Sequence, residues 1–189
     1  MERSIKKLNY STIFLVIVTA MLAGSCAKIH YHQLTEADMA WLVYKNNEVD
    51  EFISGSNQIA TYNVALRTKT YTGDNDNYNE FTTATFQLMN DTTAFTPTDS
   101  KGELFIYKQD DDGLLVTLTW PHYPYKEVPL TSMPYNVVTI GGVNYFDVFI
   151  LDATGATDAR YYIEKIWYSQ SEGVIQYEDA SGEVWIRTN

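Results

Sequence analysis

The sequence predicts a mainly β protein: one antiparallel, strongly curved sheet of about ten or eleven strands, a half-barrel or open barrel, with one short N-terminal helix. Three observations predict it. From residue 60 onward, apolar side chains recur at every second position, the period of a half-buried strand rather than of a helix. Turn signals such as Asp112-Gly113 and Gly141-Gly142 come at short spacing, with no helical stretch between strands to build a parallel crossover. The 15 Tyr, with many Thr and Val, suit pleated, half-buried surfaces. A sheet of that size must curl, split or close to bury one face. No segment of roughly 20 to 50 residues repeats, which excludes a propeller or solenoid.

The helix opens at Leu34-Thr35-Glu36-Ala37-Asp38, with Thr35 as N-cap and Asp38 three residues on in a variant of the capping box, and extends no further than residue 42. Tyr62, Val64 and Leu66 then alternate with Thr61, Asn63, Ala65 and Arg67, and Ala84, Phe86 and Leu88 alternate with Thr83, Thr85 and Gln87. Between these strands, residues 72–79 read as a loop by composition. Residues 102–108 and 114–120 form the next pair, with Leu114, Val116, Leu118 and Trp120 on one face. A proline and aromatic segment fills 121–134. Residues 137–140 and 143–152 flank Gly141-Gly142 as a hairpin, with Phe146, Val148 and Ile150 facing one way. A meander of 160–168, 174–178 and 184–188 ends the chain. Its first strand has apolar residues on both sides, which implies that it is covered on both.

The N-terminal stretch does not belong to this domain. Arg3, Lys6 and Lys7 precede an apolar run over residues 13–23, and Ala23-Gly24-Ser25-Cys26 follows, the parts of a secretory signal peptide. The run is shorter than the roughly 18 residues that span a bilayer. Leu22-Ala23-Gly24-Ser25-Cys26 resembles the lipobox of bacterial lipoproteins, with Ala23 where Leu is commonest, a relaxed form similar to that of Bacteroidetes. The resemblance implies cleavage before Cys26 and acylation of its thiol. It divides the chain into a signal peptide (1–25), a lipid-anchored tether (26–34) and the β domain (35–189). Cysteine usage agrees, because an exported protein with a single Cys can form no internal disulfide and would otherwise carry a free thiol. Ala27 directly after the cysteine, where an inner-membrane rule of enteric bacteria wants Asp, and the lack of acidic residues just beyond it point to the outer membrane, periplasmic face.

The last strands carry a second resemblance. Ile163-Glu164-Lys165-Ile166-Trp167-Tyr168, Gly173-Val174-Ile175-Gln176-Tyr177-Glu178 and Gly182-Glu183-Val184-Trp185, preceded by the 140–148 hairpin, look like the closing strands of uncharacterised lipoproteins of Bacteroidetes. They are similar in flavour to periplasmic lipoprotein carriers of the LolA and LolB type, which hold acyl chains in a curved half-barrel. The likeness is one of fold and implies no catalytic residue.

The net charge of −11 argues against nucleic acid, which binds through clustered Lys and Arg. The leader removes Arg3, Lys6 and Lys7 but only Glu2, so the mature chain is more acidic still. No cofactor is expected and no metal site. His30 and His32 lie in the tether without a third ligand. Asp74-Asn75-Asp76-Asn77 alternates oxygens as a calcium loop does, but Tyr78 and Asn79 stand where an EF-hand needs an Asp or Asn and then a Gly. Asp110-Asp111-Asp112 reads as a solvated turn. No Gly-x-Ser-x-Gly elbow occurs, and both Ser-x-x-Lys matches start at serines of the leader, Ser4 and Ser25, so no enzyme is expected. Trp120-Pro121-His122-Tyr123-Pro124-Tyr125 is the most distinctive stretch. Its rings on a stiff path either stack on a sugar, peptide or lipid, making Trp120, His122, Tyr123 and Tyr125 the candidate ligand-binding residues, or close one end of the core. The sequence thus predicts a membrane-anchored, non-enzymatic binding module for an apolar or glycan ligand, with a structural or interaction subunit of an envelope protein complex as the alternative.

Overall fold

The computed structural model describes residues 29–74, 77–89, 91, 99–111, 113–125, 127–155 and 161–188. The expected signal peptide, Cys26 and the start of the expected tether lie outside the described residues. The elements in chain order are β1 (His30–His32), α1 (Glu36–Met39), β2 (Val49–Ser54), β3 (Ile59–Asp74), β4 (Asn77–Leu88), β5 (Lys101–Lys108), β6 (Leu114–Thr119), β7 (Val128–Pro129), a 3-10 turn (Leu130–Ser132), β8 (Asn136–Ile140), β9 (Val143–Asp152), β10 (Ile163–Ser169), β11 (Gly173–Asp179) and β12 (Val184–Thr188). The strands form one strongly curled half-barrel sheet in the order β7-β6-β5-β4-β3-β2-β12-β11-β10-β9-β8. The expected fold class is the observed one. Each neighbouring pair along this path is antiparallel, as short hairpin connections require.

Three local expectations differ. Part of the expected tether is strand: β1 runs parallel to the start of β4, with Tyr31 opposite Tyr78, on the edge that β5, whose pairing begins at Phe81, leaves free. The stretch expected as a loop over 72–79 is mostly ladder, with Thr72 opposite Asn79 and Gly73 opposite Tyr78, so β3 and β4 project as a long arm. Phe146, Val148 and Ile150 do not share one face. Asn136 pairs with Val148 but Val138 with Tyr145, so β9 carries an extra residue there, and Phe146 is 70% exposed while Val148 is buried.

The inner face of the sheet is filled by its own rings. Phe52 (β2), Tyr62 (β3) and Phe86 (β4) surround Trp120, whose ring centroid lies 4.9 Å from those of Tyr62 and Phe86 and 6.0 Å from that of Phe52, and Tyr177 (β11) packs on Phe52 at 5.1 Å. The segment around α1 crosses the same space. Trp41 stacks on Phe149 (5.4 Å) and Tyr168 (6.4 Å), while Tyr44 meets Phe86 edge-on at 4.8 Å. The Tyr168 hydroxyl donates to the Trp41 carbonyl at 3.0 Å, and Tyr44 accepts the Val174 N–H at 2.7 Å. Gly173 makes that approach feasible: φ is +83°, and a Cβ would stand 2.3 Å from the Tyr44 hydroxyl. A smaller apolar cluster lies apart from this core, where Ile140, Val148 and Ile175 pack with Val138, Tyr145, Ile150, Trp167 and Ile186. With Ile163, Ile166 and Tyr168 in the main core and Trp167 in the second cluster, β10 is covered on both sides, as its composition predicts.

The helix is one turn long, with the expected cap. The Thr35 hydroxyl accepts the Asp38 N–H at 3.1 Å, and Asp38 accepts the Thr35 N–H at 2.8 Å. Lys108, buried at the end of β5, donates to the same carboxylate at 3.1 Å. Burial pushes the Asp38 carboxyl up, but the Thr35 hydrogen bonds and Lys108 outweigh it and hold it below the ordinary 3.8. A carboxyl lowered in the folded state is half-protonated first in the unfolded chain, so its stabilisation is complete above about pH 4 and is lost as pH falls through the folded value. Asp38→Asn is therefore expected to lower stability at pH 7 and to differ progressively less from the parent below pH 4, read by urea unfolding at stepped pH. A constant difference across that range would show that the carboxylate charge contributes nothing.

Candidate functional site

The proline and aromatic segment after β6 does not present four rings to solvent. Trp120, His122 and Tyr123 are 1%, 1% and 3% exposed, and Tyr125 alone, at 53%, faces outward. The chain turns inward because His122 adopts left-handed backbone geometry (φ +56°). Its N–H donates to the Asp99 carbonyl at 3.0 Å and its carbonyl accepts the Ile163 N–H at 3.1 Å, tying the segment to the far side of the half-barrel. The His122 Nε2 meets the Asp91 carboxylate, and its ring stacks on Tyr162 at 4.5 Å. Burial pushes the Tyr123 hydroxyl up, reinforced by Tyr125 and Asp152. The opening beside these residues, lined by Lys101, Thr119, Trp120, His122, Tyr123 and Tyr161 among others, has a volume of about 40 Å³, close to that of a single water. Trp120, His122 and Tyr123 thus turn into the interior, where Trp120 and Tyr123 belong to the core, and Tyr125 stays exposed at its rim.

Two clefts among the described residues are larger. One of about 170 Å³ lies between the tip of the β8–β9 hairpin (Ile140, Val143, Tyr145) and Ile175, Ile186 and Arg187 of β11 and β12. The other, about 220 Å³, is bordered by Glu103, Phe105, Leu115, Thr117, Thr119 and Glu127. Burial raises the Glu103 carboxyl, with Thr83 and Arg67 opposing it. Both are below the roughly 300–1,000 Å³ of ordinary small-molecule sites.

A buried cluster of charges joins β2 to β12, and nothing in the sequence pattern points to it. Arg187 on β12 donates to Asp50 at 2.6 Å and to Glu48 at 3.3 Å, donates to the Glu172 carbonyl, and lies 5.7 Å from the centre of the Tyr44 ring. Asp50 is 2% exposed, and its second oxygen has no hydrogen-bond partner among the described residues. Burial pushes Asp50 up and Arg187 draws it part of the way back. Burial also weighs against the Arg187 charge, but Asp50 and Tyr44 outweigh it and hold the guanidinium protonated. The pair joins strands 137 residues apart in sequence, so no local pattern announces it. Buried Glu80 likewise has a structural role, accepting the Leu34 N–H at 2.7 Å.

Near the chain's entry to the sheet, Tyr31 stacks on Tyr78 (5.4 Å) and meets Tyr71 edge-on (5.5 Å), and His32 bonds Asp111 at 2.9 Å. Asp110 accepts the Gly113 N–H within its turn, and Asp112 is outside the described residues. Among the described residues, no group of three or more His, Cys, Asp or Glu is placed to hold a metal ion, and no helix is long and apolar enough to cross a membrane. Cys26, the expected acylation site, falls outside the described residues. In comparison with known proteins, no family model, no curated protein and no solved structure matches this chain.

Proposed function

We propose that the protein is a bacterial envelope lipoprotein, held through acylated Cys26 at the periplasmic face of the outer membrane, whose β body is a non-enzymatic interaction module for an envelope protein. The observation that carries this reading is the filled interior. A carrier of an acyl chain or glycan needs an open concave face, and here that space is occupied by Trp41, Phe52, Tyr62, Phe86 and Trp120. Apolar surface is found instead at the β8 edge of the sheet, where Tyr135, Val137, Val143 and Phe146 are 58%, 68%, 53% and 70% exposed. Exposed apolar side chains gathered on one hairpin are the kind of surface that a protein partner covers.

The test is a photoreactive side chain at Phe146 in living cells. A discrete protein adduct is expected, and it should disappear when Val137→Glu is added, although an exposed substitution of that kind changes stability by no more than about 0.5 kcal/mol. Adducts to lipid alone, or a ligand that stays bound in native mass spectra of the delipidated protein, would replace this reading with the carrier one.

A further inference from the structure

We propose that the free end of the β3–β4 arm, with Tyr31, Tyr71, Tyr78 and Ile29, is a membrane-contacting rim that sits at the lipid headgroups and fixes the orientation of the body. The inference rests on the reading of Cys26 as acylated and adds to it a defined contact surface.

The first argument is chain length. An anchored domain on a flexible nine-residue tether can tumble and touch the bilayer with any face. Here β1 is annealed to β4 from His30 onward, with His30 opposite Asn77 at the start of that strand. Only Ala27 and Lys28 separate Cys26 from Ile29. The three peptide units between those α-carbons reach at most about 11 Å. A diacylated cysteine puts its glycerol at headgroup depth, so the end of the arm is confined to the interfacial layer or just above it.

The second argument is what stands at that end. Ile29, Tyr31 and Tyr71 are 50%, 54% and 40% exposed, and Tyr31 bridges Tyr78 and Tyr71 in one contiguous aromatic group. Gln33 donates to the Tyr71 hydroxyl at 3.2 Å, which steadies that ring without covering it. Tyrosine, apolar along its ring and polar at its tip, concentrates where hydrocarbon gives way to water. The packing of the core does not require these rings, since none of them belongs to it. The charge of the chain decides which surface they suit. With a net charge of −11 the body is repelled by anionic lipid, so the contact is made by rings on zwitterionic headgroups and does not depend on salt.

β3 has 16 residues, so its far end stands about 50 Å along the strand from the rim. That geometry supplies the experiment. The lipoprotein is reconstituted into phosphatidylethanolamine and phosphatidylcholine vesicles after introduction of one cysteine, Thr72→Cys on the arm or Asn57→Cys beyond the far end of β3. Cys26 is the only natural cysteine, so when acylated it leaves the new thiol as the sole labelling site. A fluorophore on residue 72 is expected to be quenched roughly twofold or more by lipids brominated near the headgroup, the depth at which interfacial rings reside, and one on residue 57 not at all. Tyr31→Ser with Tyr71→Ser should reduce the quenching at residue 72 with the melting temperature retained. Equal, unquenched labels on protein whose Cys26 is shown by mass spectrometry to be acylated would overturn the rim and leave the anchor standing. Absence of the acyl group would overturn both.

Discussion

Replacing Arg187 by alanine is expected to destabilise the fold by roughly 3–5 kcal/mol, the cost of leaving a buried carboxylate without its counter-ion. Asp50 is almost wholly buried, one of its oxygens has no partner among the described residues, and the other depends on Arg187 at 2.6 Å. Glu48 adds a second negative charge that the same guanidinium offsets at 3.3 Å. The loss should shrink in acid. With Arg187 gone, nothing counters the burial that raises the Asp50 carboxyl above its ordinary 3.8, and a group with a raised folded-state value regains stability as pH falls through it. Urea unfolding at pH 7 and pH 5 reads both effects. The double substitution Asp50→Leu with Arg187→Met is expected to lie close to the parent, because removing both charges removes the desolvation cost together with the attraction. If the single and double variants are equally unstable, packing of the arginine stem, and not charge, is what the site contributes.

Trp120→Ala is expected to cost a similar amount, about 3–5 kcal/mol, by removing the largest fully buried side chain and leaving a cavity among Phe52, Tyr62 and Phe86. For a domain of this size that lowers the melting temperature by on the order of 10 °C. Tyr125→Ala, five residues on but exposed, should change stability by no more than about 0.5 kcal/mol. The contrast separates the two roles open to this segment. If Trp120→Ala melted like the parent and lost affinity for a glycan or lipid, the ring would be a ligand platform and the interior would be less firmly filled than its contacts imply.

What could be read from the sequence was whatever local pattern determines. Leu114, Val116 and Leu118 recur at every second position and the strand covers Leu114 to Thr119, and Thr35 caps its helix because its hydrogen-bond partner is only three residues away. β2 was not legible. Val49-Asp50-Glu51-Phe52 reads as a wet segment until Arg187 neutralises the inward Asp50 from the other end of the chain. The polar residues 72–74 and 77–79 have weak strand propensity, yet they are held in a ladder with Tyr31 stacked at its edge, an arrangement that no window of neighbouring residues contains. The same limit applied to the candidate site. The period-two pattern placed Trp120 on the apolar face of its strand, but the residues that enclose it come from β2, β3 and β4, so composition alone left both a ligand and the core open to its ring.

The position of β12 has a consequence for biogenesis. It lies between β2 and β11, joining a half-sheet built from β1 to β7 to one built from β8 to β11, and among the described residues it comes last of the strands. As the chain emerges N-terminus first during synthesis, β2 keeps an open row of amide and carbonyl groups until residues 184–188 arrive, and such a row pairs readily with a neighbouring molecule. Proteases and chaperones would therefore meet a prematurely terminated copy as an unzipped margin between two halves, not as a loosened interior.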